Sequence, residues 1–362
     1  MSAQPRNGQA ENKQPSNGQP TNGPLRLGVL GAASIARRKM LPAVAAEPGR
    51  MRLAAVASRD LAKASALTGE FGGEPVAGYE ELLRRPDIDA VYLPLPAAMH
   101  APWIEAALHA DKHVLAEKPL ATRAEDAHRL VALADKLGLV LAENFMFTLH
   151  SQHAAVRALL ADGVIGEVRG LAAAFTIPAL PDTDIRYQPD VGGGALADVG
   201  GYPLRAAALL LAGADAGADG QTGNQELDVV GATLRVDRAR GVDLSGAALL
   251  AAADGTTAHV TFGMEHAYRA EYEVWGTNGR IWLDRAYTPP ADHAPVLRIQ
   301  SGGERREQRL APDDQFRQVV RAFAAAVTDG TASGLQGDQV LRQADLVQRV
   351  RDAAVISYVG QE

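Results

Sequence analysis

From Leu25 to about residue 142 the chain alternates short apolar runs with amphipathic stretches, and that alternation leaves few folds open. Residues 25–30, 53–57, 90–93, 113–116 and 139–142 read as strands. Residues 35–46, 61–71, 102–110 and a stretch ending near Leu137 read as helices. Strands covered on both faces carry near-continuous apolar runs, and parallel neighbours need a crossover between them. The pattern therefore predicts an α/β fold with a doubly wound parallel sheet. Thr122-Arg123-Ala124-Glu125 has the spacing of a capping box opening the last of these helices, and Gly138 suits the left-handed residue that closes it.

After about Asn144 the pattern changes. A helix at 152–161 and a strand at 168–177 precede a helical stretch at 196–211, in which Pro203 removes a backbone donor and should kink the helix or delay its start. Strand-like runs then follow one another at 229–236, 244–252, 256–262, 271–275, 280–283 and 296–300, which predicts a mainly antiparallel open sheet. Helices at 316–327 and 339–355 end the chain. A length of 362 residues suits two domains: a dinucleotide-binding unit at 25–144 and an α+β unit at 145–362. Residues 1–24, rich in Asn, Gly, Gln and Pro, read as a disordered tail, and 213–223 as an exposed loop.

Composition removes several function classes. No cysteine is present, so disulfides, thiolate metal sites and cysteine nucleophiles are excluded, and a cytoplasmic location is expected. A formal net charge of -7 argues against a nucleic-acid polymer as partner. No apolar run reaches membrane-spanning length, and the polar N-terminus does not resemble a secretory signal. His150 and His153 can share a helix face, but no carboxylate cluster accompanies them and no metal is expected.

The turn after the first strand, Gly31-Ala32-Ala33-Ser34-Ile35-Ala36, is a variant of the dinucleotide fingerprint with alanine where the second glycine usually stands. NAD sites usually end the second strand with an acidic residue that binds the ribose. Here Ser58-Arg59 stand instead, with Arg37 and Arg38 nearby, which favours the 2′-phosphate of NADP. Ser58 also suits a helix cap. Leu93 and the following Pro94, Pro96 and His100 should wall the cofactor side. Two further segments carry chemistry. Glu117-Lys118-Pro119 delivers a lysine to the C-terminal edge of the sheet, and residues 192–202, GGGALADVGGY, bring Asp198 and Tyr202. On a helix those two share one face, so Asp198 either pairs with Lys118 or caps its helix.

With these residues in hand the chain resembles the glucose-fructose oxidoreductase/inositol dehydrogenase family. Glu117-Lys118-Pro119 is similar to the family signature and residues 192–202 to its second catalytic segment. Residues 143–147 (ENFMF), 184–188 (DIRYQ) and 262–266 (FGMEH) resemble the sugar-nucleotide 3-ketoreductases of deoxysugar pathways. The resemblance implies an NADPH-dependent reductase acting on the C3 ketone of a dTDP-linked 3,4-diketo-2,6-dideoxyhexose. It implies Tyr202 as general acid, Lys118 as oxyanion stabiliser, and substrate contacts from Asn144, Arg186 and Tyr187 as well as Asp198. It also suggests a cis Lys118–Pro119 peptide and a homodimer or homotetramer formed through the open sheet. A sugar or polyol dehydrogenase of the same family, and a non-catalytic NADP-binding sensor, are the competing readings. Histidine often stands at the Tyr202 position in family members that oxidise alcohols, so the tyrosine favours a reductase.

Overall fold

A computed structural model describes residues 23–211, 226–331 and 334–360. The expected tail, apart from its last two residues, and the expected loop at 213–223 lie outside them. The first sheet comprises β1 (Leu25–Leu30), β2 (Met51–Ser58), β3 (Glu74–Ala77), β4 (Ala90–Leu93), β5 (His113–Glu117) and β6 (Leu141–Asn144). Its order is β3-β2-β1-β4-β5-β6 with every pair parallel. The strand order reverses beside β1, and ligands of such sheets bind at the carboxyl ends of the strands there. Its helices are α1 (Leu41–Ala45), α2 (Leu61–Phe71), α3 (Tyr79–Leu83), α4 (His100–His109) and α5 (Ala124–Leu137).

The second unit opens with α6 (Ser151–Ala161), β7 (Val168–Thr176) and α7 (Gly201–Leu211). There follow β8 (Asp228–Asp237), β9 (Val242–Ala251), β10 (Thr257–Gly263), β11 (Arg269–Gly276), β12 (Gly279–Leu283), β13 (Val296–Ser301) and β14 (Glu304–Arg309). The helices α8 (Gln315–Asp329) and α9 (Asp338–Asp352) and a last strand, β15 (Ala354–Val359), end it. The sheet runs β14-β13-β12-β11-β7-β10-β9-β8-β15; it is mainly antiparallel, but β7–β10 and β8–β15 pair in parallel.

Packing joins the two units. One buried cluster runs from Val29 and Val56 through Phe147 and Tyr202 to Val260 and Phe323, while a second, with Ile104, Val114 and Leu130, fills the opposite face of the parallel sheet. Phe316, Val319, Val320 and Phe323 form the buried stripe of α8. Asp314 caps that helix by accepting from the amides of Phe316 and Arg317. Glu47, just beyond α1, lies 2.7 Å from both Arg317 and Arg321, which ties α8 to the first unit.

Several local expectations are corrected. Arg123, not Thr122, precedes α5, and no side chain caps it; Glu125 instead meets Arg123 at 2.9 Å. Gly138 does close α5 in the left-handed conformation, with φ 68°. Asp60 caps α2 through the amide of Ala62, while Ser58 accepts from the Asp60 amide. The final helix ends at Asp352, and the residues after it extend as β15 alongside β8. The expected strand at 139–142 is shifted to Leu141–Asn144. The expectation at Pro203 agrees with the structure: the α-helix starts late, at Gly201, after a π-helical turn, Leu196–Gly200, that runs directly into it.

Candidate active site

A cleft of about 860 Å³ opens over the carboxyl ends of β1, β4 and β5. Its first wall is the turn after β1. Gly31 has φ +114°, and a Cβ there would lie 2.8 Å from Leu95 Cδ2, so only glycine turns this corner cleanly. Ala33, Ser34 and Ile35 follow at the start of a helix and line the cleft with Arg38, Pro94, Leu95 and Pro96. Amides at a helix start lack intrahelical partners and suit a diphosphate. Arg38 and Arg59 are both exposed, Arg59 directly after β2, where a 2′-phosphate would lie. The residues present therefore fit NADP.

Other expected cofactor residues stand behind this surface. Leu93 and Ala36 are core. Arg37 turns away to Glu70 at 2.6 Å. Ser58 is 7 % exposed. His100 is buried, with Nδ1 facing the carbonyl of Pro119 at 2.7 Å and Nε2 that of Leu95 at 2.8 Å, so it supports the wall and does not line it.

The floor carries the ionisable groups. Glu117 ends β5, and its Oε1 accepts from Tyr92 Oη and Asn144 Nδ2, both at 2.6 Å. Asn144 is fully buried and reaches the cleft only through this carboxylate. Lys118 follows, joined to Pro119 by a cis peptide. Its Nζ donates to the Asp198 carbonyl at 2.7 Å and to Asp198 Oδ1 at 2.8 Å, so of the two roles left open for Asp198 the pairing is the one observed. Arg186 Nε donates to the other carboxylate oxygen at 2.5 Å and Nη1 to Asp184 at 3.1 Å. Close approach of these segments depends on glycine: a Cβ at Gly193 would lie 2.6 Å from the Arg186 carbonyl oxygen.

Lys118 Nζ stands 5.0 Å from the centre of the Tyr202 ring. Phe145, Phe147, Phe175 and Tyr287 surround that ring at centroid distances of 5.0 to 5.8 Å. Burial pushes the Tyr202 phenol up to about 12 despite the Lys118 charge, so it is protonated at neutral pH. Burial alone would push Lys118 down, but the Asp198 carboxylate, with Tyr202 and Glu117 adding to its effect, more than reverses that and keeps it an ammonium. Burial likewise opposes the Asp198 charge, and Lys118 and Arg186 overcome it, holding the carboxyl at about 2. The floor thus presents a fixed cation beside a protonated phenol. That combination stabilises a developing alkoxide and supplies a proton.

Tyr187 is buried under the Arg240 guanidinium, and its hydroxyl accepts from the Leu180 amide, away from the cleft. Phe175, Ile177 and Thr183 line the cleft although nothing in the sequence singled them out as site residues; they sit on an ordinary strand and loop with no motif. His150 caps α6, and His153 is held by Tyr272 and the Ala286 carbonyl. Among the described residues no three His, Cys, Asp or Glu side chains converge as a metal site requires, and no helix is long and apolar enough to cross a membrane.

Comparison with known proteins places this geometry. Residues 25–145 match the oxidoreductase family model GFO_IDH_MocA, NAD-binding Rossmann fold, and 153–282 match the GFO/IDH/MocA C-terminal domain. A dTDP-3,4-didehydro-2,6-dideoxy-alpha-D-glucose 3-reductase of Actinomadura kijaniata is 52% identical over 331 residues, covering 91% of this chain and 96% of the relative. A reductase of the same name from Saccharopolyspora spinosa is 49% identical over 336 residues, covering 91% and 97%. A crystal structure of a 3-ketoreductase from Actinomadura kijaniata, in complex with NADP and TDP-benzene, is 51% identical and superposes with a TM-score of 0.87 over 93% of this chain and 100% of that one. Variants of that enzyme with a lysine changed to alanine or glutamate, or a tyrosine to phenylalanine, have also been crystallised with both ligands. Both halves of the chain match and the identity extends over nearly its whole length: this protein belongs to the GFO/IDH/MocA oxidoreductase family.

Proposed function

We propose that this protein is an NADPH-dependent 3-ketoreductase that reduces the C3 ketone of a dTDP-3,4-diketo-2,6-dideoxyhexose in deoxysugar biosynthesis. The observation that carries the reading is the Lys118–Asp198 pair beside a protonated, ring-enclosed Tyr202, at the floor of the cleft whose far wall is the Gly31 turn. When bound, NADPH supplies a hydride to C3.

The chain's own residues do the rest. The amides of Ala33, Ser34 and Ile35 hold the diphosphate, and Arg38 and Arg59 the 2′-phosphate. Lys118 has three N–H donors, of which Asp198 uses two, and the third is directed to the ketone oxygen. As negative charge grows on that oxygen, the ammonium stabilises it and Tyr202 transfers its phenolic proton there, completing the alcohol. Asp198 keeps Lys118 charged and in place. Arg186, on the same carboxylate, faces the cleft and supports the nucleotide diphosphate of the sugar. In the crystallised 3-ketoreductase variants, the replaced lysine and tyrosine are separated by the same number of positions as Lys118 and Tyr202, which supports these two assignments.

The same reading makes the protein a cytoplasmic homodimer or homotetramer assembled through the open sheet. Side chains alternating to its outer face, among them Ala172, His259, Thr261 and Glu273, stay wholly or partly exposed.

The test is NADPH oxidation with the dTDP-diketo sugar generated in situ, against NADH and no-sugar controls. Rapid turnover to a 4-keto-3-hydroxy product, lost in Lys118→Ala, is expected. Tight NADPH binding without turnover on this sugar would overturn the substrate assignment.

A further inference from the structure

The peptide group joining Pro119 to Leu120, directly after Lys118, is gripped at both ends by buried side chains that the chemistry does not use. His100 Nδ1 lies 2.7 Å from the peptide's carbonyl oxygen, and the peptide's N–H donates to Glu143 Oε1 at 2.7 Å. His100 and Glu143 are 1 % and 3 % exposed, and neither lines the cleft that holds Lys118. They come from separate elements, the first residue of α4 and the third of β6. The other nitrogen of His100 faces the Leu95 carbonyl, so one ring joins the cofactor wall to the lysine loop. The second oxygen of Glu143 has no hydrogen-bond partner, and the residue borders a cavity of about 80 Å³ shared with Phe145, Gln343 and Arg351.

We propose that Glu143 and His100 are positioning residues for the reaction: by fixing the plane of the 119–120 peptide they fix where Lys118 presents its ammonium. The inference rests on the reading of Lys118 given above.

A buried N–H that loses its acceptor turns toward another, and the peptide turns with it. Lys118 is adjacent, and its two bonds to Asp198 tolerate little movement. A displacement of about 1 Å at a reacting group costs on the order of a hundredfold in rate. Glu143 acts as an acceptor and not as a charge. Burial pushes its carboxyl up to about 7 against the pull of Arg205 and Lys118, with Glu117 adding to the rise. Oε1 can accept from the amide in either protonation state.

Two conservative variants separate reach from charge. Glu143→Gln keeps an oxygen at the same distance without the charge; Glu143→Asp keeps the charge and withdraws the oxygen by one methylene. In steady-state NADPH oxidation, Glu143→Gln should hold kcat within about threefold of the parent. Glu143→Asp should lower it at least about tenfold, with KM for the sugar and Kd for NADPH within about threefold. His100→Leu should show the same split of kcat from KM. A Glu143→Asp enzyme at parental kcat, or a Glu143→Gln enzyme impaired as far as Glu143→Asp, overturns the proposal. Lys118→Ala is run beside them. Full turnover in that variant would refute the role of Lys118 itself. A dead Lys118→Ala with a parental Glu143→Asp would refute only the clamp.

Discussion

Asparagine at Asp198 would keep the side chain's size and remove its charge. The carboxylate now accepts from Lys118 at 2.8 Å and Arg186 at 2.5 Å, and the three side chains are 12 %, 22 % and 38 % exposed for Lys118, Asp198 and Arg186. Its pKa of about 2, against an ordinary 3.8, corresponds to roughly 2 kcal/mol favouring the charged form in the folded state. Because this pKa is depressed, the contribution is present above pH 3.8 and is lost as pH falls through about 2. Breaking a buried pair by removing one partner costs about 3–5 kcal/mol. Arg186 is more than a third exposed and recovers part of this from water, so about 2–3 kcal/mol is expected. At about 2.1 cal/mol/K of unfolding entropy per residue, a chain of 362 residues shifts by roughly 1.3 °C per kcal/mol, so Tm should fall by about 3–4 °C.

The kinetic consequence is sharper. Burial pushes the Lys118 pKa down, and Asp198 is the largest influence pushing it up. Without that carboxylate the lysine should lose its proton within an accessible range. kcat should then acquire an alkaline limb between about pH 7 and 10 where the parent is flat. Thermal denaturation and kcat measured from pH 6 to 10 check both parts. An Asp198→Asn enzyme with parental Tm and a flat profile would refute the electrostatic account of the site.

Tyr202→Phe should lower kcat by about 10²–10³-fold, the contribution of a positioned acid, and leave KM for the sugar close to the parent. Its Tm should barely move, because the hydroxyl meets only Met146 Sδ, at 3.9 Å. Burial holds the phenol at about 12, so the parent's rate should show no loss from this group below about pH 11. Arg38→Ala with Arg59→Ala should raise KM for NADPH by about 10–100-fold, as expected for lost charge-assisted bonds, and leave KM for NADH unchanged. Gly31→Ala forces a side chain onto φ +114° and against Leu95, which should cost about 1–3 kcal/mol in denaturant unfolding and weaken NADPH binding in fluorescence titration.

The parallel sheet was legible because its strands are buried on both faces, so apolar runs mark them directly. Strands whose identity depends on distant partners were not. β14, with the sequence ERREQR, has no apolar face and exists by pairing with β13. β15, with the sequence AVISYV, follows α9 with neither glycine nor proline between them, and only its parallel partner β8 reveals that it is extended. β3 and α3 are short and lean on β2. At the site, Lys118, Asp198 and Tyr202 could be named from motifs, but the sharing of Asp198 between Lys118 and Arg186 is a three-segment meeting that no local spacing encodes. Tyr187, Asn144 and His100 looked like contact residues because they sit in or beside motifs. Each is in fact buried behind the surface it supports. A motif records that a residue belongs to the site's construction without saying on which side of the wall it stands.

The π-helical turn at Leu196–Gly200 sets the distance between carboxylate and phenol by the number of residues in it. In an α-register the Asp198 carbonyl would be taken by the Tyr202 amide. Here the Gly201 amide reaches back to Leu196, and the Asp198 carbonyl is held by Lys118. Removing one residue from this turn would let it close in the α-register, changing the spacing of Asp198 and Tyr202 along the helix and shifting one of them against Lys118 with no side chain altered. The fragile quantity in this stretch is length, and scanning by substitution leaves it untouched. Among distant relatives, a gap of a single position here would separate chains that keep the chemistry from chains that keep only the scaffold.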